Sequence, residues 1–252
     1  RSTGFYVATR KKETVFAVKE SGRISGFHYH LIRDFTKFLK LRLKISLVHF
    51  SQYFSKNGVV PKKVKTKRNF YYTPDLIKKV HLYMDTITKL PWRSKLLRIL
   101  TINPVKQVVI TRKGMGFIRY SQLKNKRISI QPHSSYATYL KKIENKKKLK
   151  FNYVFVEETK QMPVYVNQNK ADLTVQDSDL ALKVIQKYPN LTIAIPISKV
   201  QYTGWAVKKN NKILFSILKK YIRYTKKTGQ FFYYFKKEFQ MSYFDYLKII
   251  GM

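Results

Sequence analysis

Cysteine is absent from the 252 residues, which excludes disulfides, thiolate metal sites and cysteine nucleophiles while leaving the redox compartment open. Acidic side chains are also scarce: 13 Asp and Glu stand against 52 Lys and Arg, a formal net charge of +39. Such a chain attracts nucleic acid, anionic lipid headgroups or an acidic wall polymer from a distance, and the charge alone does not choose among them. No apolar run reaches the roughly 18 residues that a membrane-spanning helix needs. There is no glycine-rich phosphate loop and no G-x-S-x-G nucleophile elbow. Five histidines, His28, His30, His49, His81 and His133, are present; only His28-x-His30 is closely spaced, and a helix would turn that pair to different faces, so no metal site is expected. No cofactor and no catalytic residue is implied. The chain opens at Arg1 without an initiator Met or a signal peptide, as a mature or excised product would.

A hydrophobic content of 44% is enough for a real core in one large domain or two small ones. Lysine is spread through every segment, which a biased composition explains as well as a function does. The densest runs, "PKKVKTKR" (61–68) and "KKIENKKKLK" (141–150), read as solvated faces or loops. Neither is interleaved with aromatics as a base-stacking groove requires, so nucleic acid is not an expected partner.

Periodicity supplies the elements. "GFYVAT" (4–9) reads as a buried strand, and Leu31, Ile32, Phe35, Phe38 and Leu39 recur at helical spacing between His28 and Lys40. "LRLKISLVHF" (41–50) is a strand, which makes a βαβ opening with parallel pairing. Residues 55–72 read as a long basic loop. Further on come a short helix from 75 feeding a strand at His81–Asp85, strands at 105–113 and 126–132, and a helix capped by Ser134 or Ser135. Strands and helices then alternate from 151 to 197, and the end is helical with a break at Gly229. This alternation means an α/β architecture. Two extended segments, 105–113 and 199–207, can both cross between lobes. That gives a discontinuous lobe 1 (1–108 plus 205–252), a continuous lobe 2 (112–200) and hinge crossings near 109–111 and 201–204.

Three stretches hold residue types that suit a zwitterion. "LTVQDSDLAL" puts Asp177 where an apolar strand hands over to a helix; Asp177 or Ser178 can be a plain N-cap, but a carboxylate at a strand's carboxyl end is costly without a cation to meet it. Asp179 suits the first turn of the helix that follows. "QPHSSYATYL" puts Ser134 and Ser135 at a helix start, where hydroxyls and free backbone N–H groups hold anions, and an ordinary cap explains the pair almost as well. In "MDTITKLPWRSKLL", Thr86 and Thr88 alternate on an extended segment and Arg93 follows a Pro-Trp turn. A guanidinium can hold a carboxylate through two parallel N–H bonds, with hydroxyls completing its coordination.

The serial order "GFHYHLIRDFTKFLKLRLKISLV", "DTITKLPWRSKLL", "VVITRKG", "ISIQPHSSYATYLKKI", "ADLTVQDSDLAL" and "TGWAVKKNNKILFSILKKYI" resembles the bacterial extracellular solute-binding proteins of family 3, over nearly the whole chain. Within them "YPNLTIAIPISKVQYTGWAVKKNN" and the tail "MSYFDYLKII" look closest to the solute-binding modules at the N-terminus of membrane-bound lytic murein transglycosylases. The resemblance implies a two-lobed type 2 periplasmic binding fold, each lobe a mixed sheet flanked by helices, joined by a two-strand hinge. It implies that Arg93 takes the α-carboxylate of an amino-acid-like ligand with Thr86, Thr88 and Ser135 assisting, and that Asp177 takes the α-amino group. The first-loop position that often holds an acid or aromatic for the ligand falls near Arg10 to Glu13, and His28 and His30 replace the acids usual at the first helix start. A non-catalytic, monomeric module follows, placed in the periplasm or outside the cell, binding a small zwitterion, a small peptide or a muropeptide. It could serve as a free transport receptor, a sensor domain, or the regulatory module of a wall-cleaving enzyme whose catalytic domain lies beyond Met252 and whose membrane association comes through a segment outside these residues. The rival class is a binder of anionic wall polymer or membrane surface, in which the +39 charge is itself the function.

Overall fold

The computed structural model describes residues 3–11, 14–18, 21–49, 52–53, 75–116, 119–132 and 134–252. The expected loop at 55–72, Glu13 and His133 lie outside the described residues. Contacts divide the chain into unit 1, Arg1–Pro104 with Tyr202–Asp245, and unit 2, Val105–Gln201 with Tyr246–Met252. The division therefore falls at 104/105 and 201/202, and it groups the last seven residues with unit 2, where the sequence reading carried lobe 1 to 252.

Unit 1 is built on a sheet in the order β4-β1-β5-β12-β6. β1 (Gly4–Thr9) pairs in parallel with β4 (Arg42–Leu47) and with β5 (Leu82–Thr88). After β1 come the short antiparallel strands β2 (Ala17–Val18) and β3 (Ile24–Ser25), and α1 (Phe27–Phe38) then leads to β4, which is the expected βαβ opening; α2 (Leu76–Lys79) is the short helix that feeds β5. Every residue of β5 is buried, as befits a central strand covered on both faces, and this explains its run without alternation. β12 (Gln201–Lys208) runs antiparallel to β5, and Gly204 is needed there because a Cβ on it would lie 1.9 Å from the Leu100 carbonyl oxygen of β6 (Leu97–Val105). β6 was not foreseen; Pro104 interrupts its pattern, and a strand at the sheet's edge tolerates the missing N–H.

The apolar stripe of α1 buries Phe27, Leu31, Ile32 and Phe35. Phe27 meets Phe231 and Phe235 of α8 (Gln230–Phe239) edge to face at 5.1 and 5.7 Å. The helix before it, α7 (Lys212–Lys227), ends at Gly229, whose φ of 79° breaks the run as expected. His28 accepts from Trp205 Nε1 at 3.0 Å inside this core, and His30 stacks on Tyr234. Both are packing residues, and among the described residues no cluster of three or more metal-binding side chains occurs.

Unit 2 has the sheet order β11-β7-β10-β8-β9. β7 (Gln107–Arg112) runs antiparallel to β10 (Leu173–Asp177) and to β11 (Leu191–Pro196). β8 (Arg127–Ile130) runs parallel to β10 and to β9 (Asn152–Phe155). On one face, Val109, Ile128, Leu173 and Val175 pack with Tyr136 and Leu140 of α4 (Ser135–Lys147). On the other, Val108 and Ile110 pack with Val166 of α5 (Gln161–Asn167) and with Ala181 and Val184 of α6 (Ser178–Lys187). Helices on both faces of a mixed sheet is the layering that the alternating pattern called for. A final helix, α9 (Tyr243–Ile249), was missed in the sequence; its Tyr246 hydroxyl lies 2.8 Å from Ser178 Oγ at the start of α6.

Candidate ligand-binding residues

In unit 1 the carboxyl ends of two neighbouring parallel strands, β1 and β5, gather the polar residues. Arg10 follows β1, and its guanidinium grips Asp85 of β5: Nε donates to Oδ2 at 2.5 Å and Nη2 to Oδ1 at 2.9 Å. Asp85 is fully buried and also accepts from the Tyr53 hydroxyl at 2.9 Å and from the Thr86 backbone N–H at 2.7 Å. A buried carboxylate survives only with such a full set of donors. Burial raises the Tyr53 phenol well above its ordinary pKa, and the Asp85 charge adds to the rise, so Tyr53 stays a donor. Arg10 was expected near a ligand; here it is bound to Asp85, which sequence reasoning passed over although it sits next to Thr86.

Thr86 and Thr88 are buried on β5 and, two residues apart, leave the same side of the strand. Arg93 does not follow a turn, as expected, but lies within a short helix, α3 (Pro91–Leu96), because Pro91 at the first helical position pre-sets φ for it. The residue is 2% exposed, Nη1 donates to the Thr88 carbonyl at 3.4 Å, and the guanidinium lies 5.3 Å from the Trp92 ring centroid. Thr88 and Arg93 are thus joined directly, and Arg10 and Thr86 through Asp85.

In unit 2 the carboxyl end of β10 meets the first turns of α4 and α6. Asp177 is the last residue of β10 and the N-cap residue of α6, yet its side chain makes no capping hydrogen bond. Instead Oδ2 accepts from the Tyr136 hydroxyl at 3.0 Å, and the Asp177 N–H donates back to that hydroxyl at 3.4 Å. Burial, followed by the charge of Asp177, pushes the Tyr136 phenol well above its ordinary pKa, which keeps it a donor at neutral pH. Asp179 sits in the first turn as expected, and its Oδ1 accepts from the Leu180 N–H at 2.7 Å.

Ser134 is the N-cap of α4. Its hydroxyl accepts from Ala137 N–H at 3.1 Å and donates to the Gln131 carbonyl at 2.8 Å, so the capping reading describes it. Ser135 is the first helical residue and half-buried. Tyr136, one residue on, ties this helix start to Asp177; "SSYATYL" carried no sign of that role, which depends on a partner 41 residues away.

No protein-family model matches the chain. Membrane-bound lytic murein transglycosylase F of Desulfosudis oleivorans is 30% identical to it over 92 residues, which is 36% of this chain and only 20% of that protein's length. Among solved structures, a mutant of ArgBP from T. maritima has a TM-score of 0.76 at 21% identity, covering 94% of this chain and 95% of that one. An ancestral arginine-binding protein bound to arginine has a TM-score of 0.75 at 19% identity, covering 95% of this chain and 99% of that one. The solute receptor for L-cysteine of Neisseria gonorrhoeae has a TM-score of 0.74 at 16% identity, covering 98% of this chain and 92% of that one. The fold is that of the type 2 periplasmic binding proteins, shared with amino-acid-binding receptors.

Proposed function

We propose that the chain is a non-catalytic, extracytoplasmic binding module for an amino acid or a small peptide. Unit 1 supplies the carboxylate-binding groups, Arg93 with Thr86 and Thr88; unit 2 supplies the ammonium-binding Asp177, with Ser135 at the neighbouring helix start. The observation that carries the reading is Asp177: a buried carboxylate at a strand's carboxyl end, at a helix N-terminus, that does not cap the helix. Strand ends of this kind are where α/β folds take ligands. In this reading the two units are lobes joined by a hinge, and ligand contacts shift the population toward the closed form.

The setting we propose is the regulatory solute-binding module of a lytic murein transglycosylase, sensing a muropeptide or an amino acid from the wall. The partial likeness to transglycosylase F supports this over a free transport receptor or a sensor domain, and the surplus of lysines suits a position near acidic polymers. The test is calorimetric titration with L-arginine, L-glutamine, L-cysteine and a murein tripeptide, for the wild type and for Arg93→Ala and Asp177→Ala. At least one ligand should bind, and each variant should bind it at least tenfold more weakly, because each leaves a ligand charge unpaired. Wild-type affinity in both variants ends this assignment of the site. Binding that collapses with added salt points instead to an anionic polymer, since a small zwitterion held by desolvated groups is only weakly salt-sensitive.

A further inference from the structure

Gln107 is fully buried, yet neither its Oε1 nor its Nε2 has a hydrogen-bonding partner among the described residues. Its backbone is well engaged: the N–H donates to Ser198 Oγ at 2.9 Å, and the carbonyl accepts from Ile197 N–H at 2.8 Å. The residue is therefore held firmly in place, and only the amide is left over. A buried amide with all of its bonding capacity unmet is costly, and folds rarely carry one without a use for it.

The strand register says what lies beside it. Gln107 is the residue directly opposite Asp177 in the antiparallel β7–β10 pair, and the next pairs down the same column are Val109 with Val175 and Thr111 with Leu173. Directly opposed residues leave the same face of a sheet. Val109, Val175 and Leu173 pack beneath α4 with Tyr136, and Tyr136 bonds to Asp177. Gln107 thus heads the column on the face where Asp177 and the first turn of α4 meet, all within unit 2.

We infer that the Gln107 side chain is a ligand contact, its Oε1 accepting an N–H of the ammonium group that Asp177 binds. This rests on the amino-acid-binding reading above and adds a second acceptor to it. An ammonium carries three N–H donors and a single carboxylate cannot satisfy them all; a neutral acceptor next to the carboxylate completes the set without adding a second charge to neutralise. The amide also reads the hydrogen-bonding pattern, which a simple charge does not.

The test compares wild type with Gln107→Met, a near-isostere that removes both polar atoms, using L-arginine and des-amino arginine as probes, or L-glutamine and its des-amino form if that is the amino acid bound. The variant is expected to bind the amino acid at least tenfold more weakly, to lose much less affinity for the des-amino probe, and to melt, without ligand, at or above the wild-type temperature. Equal affinity of variant and wild type for the amino acid overturns the inference, and so does an equal loss for both probes, which a merely structural role would produce. A lower melting temperature of the unliganded variant also overturns it, because the amide would then be bonded inside the fold, through an internal water. A wild-type protein that binds neither an amino acid nor the murein tripeptide removes the functional reading itself, and shows this before any variant is made.

Discussion

The hydroxyl of Tyr136, in the first turn of α4, donates to Asp177 Oδ2 at the end of β10 across 3.0 Å. This bond connects a helix start to a strand end and fixes the direction in which the carboxylate faces. Tyr136→Phe should lower the unfolding free energy by about 1.5–3 kcal/mol, the usual worth of a hydrogen bond to a charged group. It should also weaken ligand binding several-fold. Urea unfolding and calorimetry of the variant check both, and unchanged stability would show that the bond contributes nothing.

Asp85 bears on stability. Its fully buried carboxylate is held by Arg10, Tyr53 and the Thr86 N–H. Asp85→Ala takes the carboxylate away from a guanidinium that is largely out of water, which should cost about 3–5 kcal/mol. Changing Arg10 to Met in the same chain should recover part of that loss, so a double-mutant cycle measured by denaturant unfolding should give a clearly non-additive result.

Arg93→Lys keeps the positive charge but not the planar fork. If the guanidinium holds a carboxylate through two parallel N–H bonds, lysine should bind the ligand several-fold more weakly than wild type and more tightly than alanine at the same position. Affinity equal to wild type would mean that only the charge matters.

Stability should fall in acid. Burial alone would raise the Asp172 pKa, but the bonds from Arg127, side chain and backbone both at 2.8 Å, outweigh it and hold the carboxyl below its ordinary value. Glu144 is lowered in the same way: burial opposes, and the Phe151 N–H, Lys141 and Tyr153 prevail. A depressed carboxylate stabilises the fold above its unfolded pKa, near 4, and the contribution is lost as pH falls through the folded value. Melting temperature should therefore drop from pH 5 downward, and Asp172→Asn should be less stable at pH 7 and show a flatter acid limb.

Gly204→Ala should destabilise unit 1 by about 3 kcal/mol, since the new methyl meets the backbone oxygen of Leu100, which cannot move without disturbing β6. Circular dichroism melts are enough to see it.

The element pattern was legible because burial imposes period: strands such as "LTIAIPI" and the stripe of α1 show which faces must be covered. Arg93 was placed after a Pro-Trp turn because that pair reads as a break, although proline at a first helical position starts a helix as readily. β6 escaped notice because Asn103 and Pro104 blur its apolar run, and α9 because its seven residues are too short for a period to emerge.

By itself, the sequence determined the alternation of strands and helices, the β10-to-α6 handover at Asp177, and the absence of cysteine chemistry; each is local, set by neighbours within a few residues and by the need to bury apolar faces. Only the tertiary structure decided the partners: Arg10 on Asp85 across 75 residues of chain, Tyr136 on Asp177 across 41, and Gln107 opposite Asp177. Such pairings follow from sheet order and register, which depend on the whole chain folding at once, and no local pattern records which buried polar group will meet which.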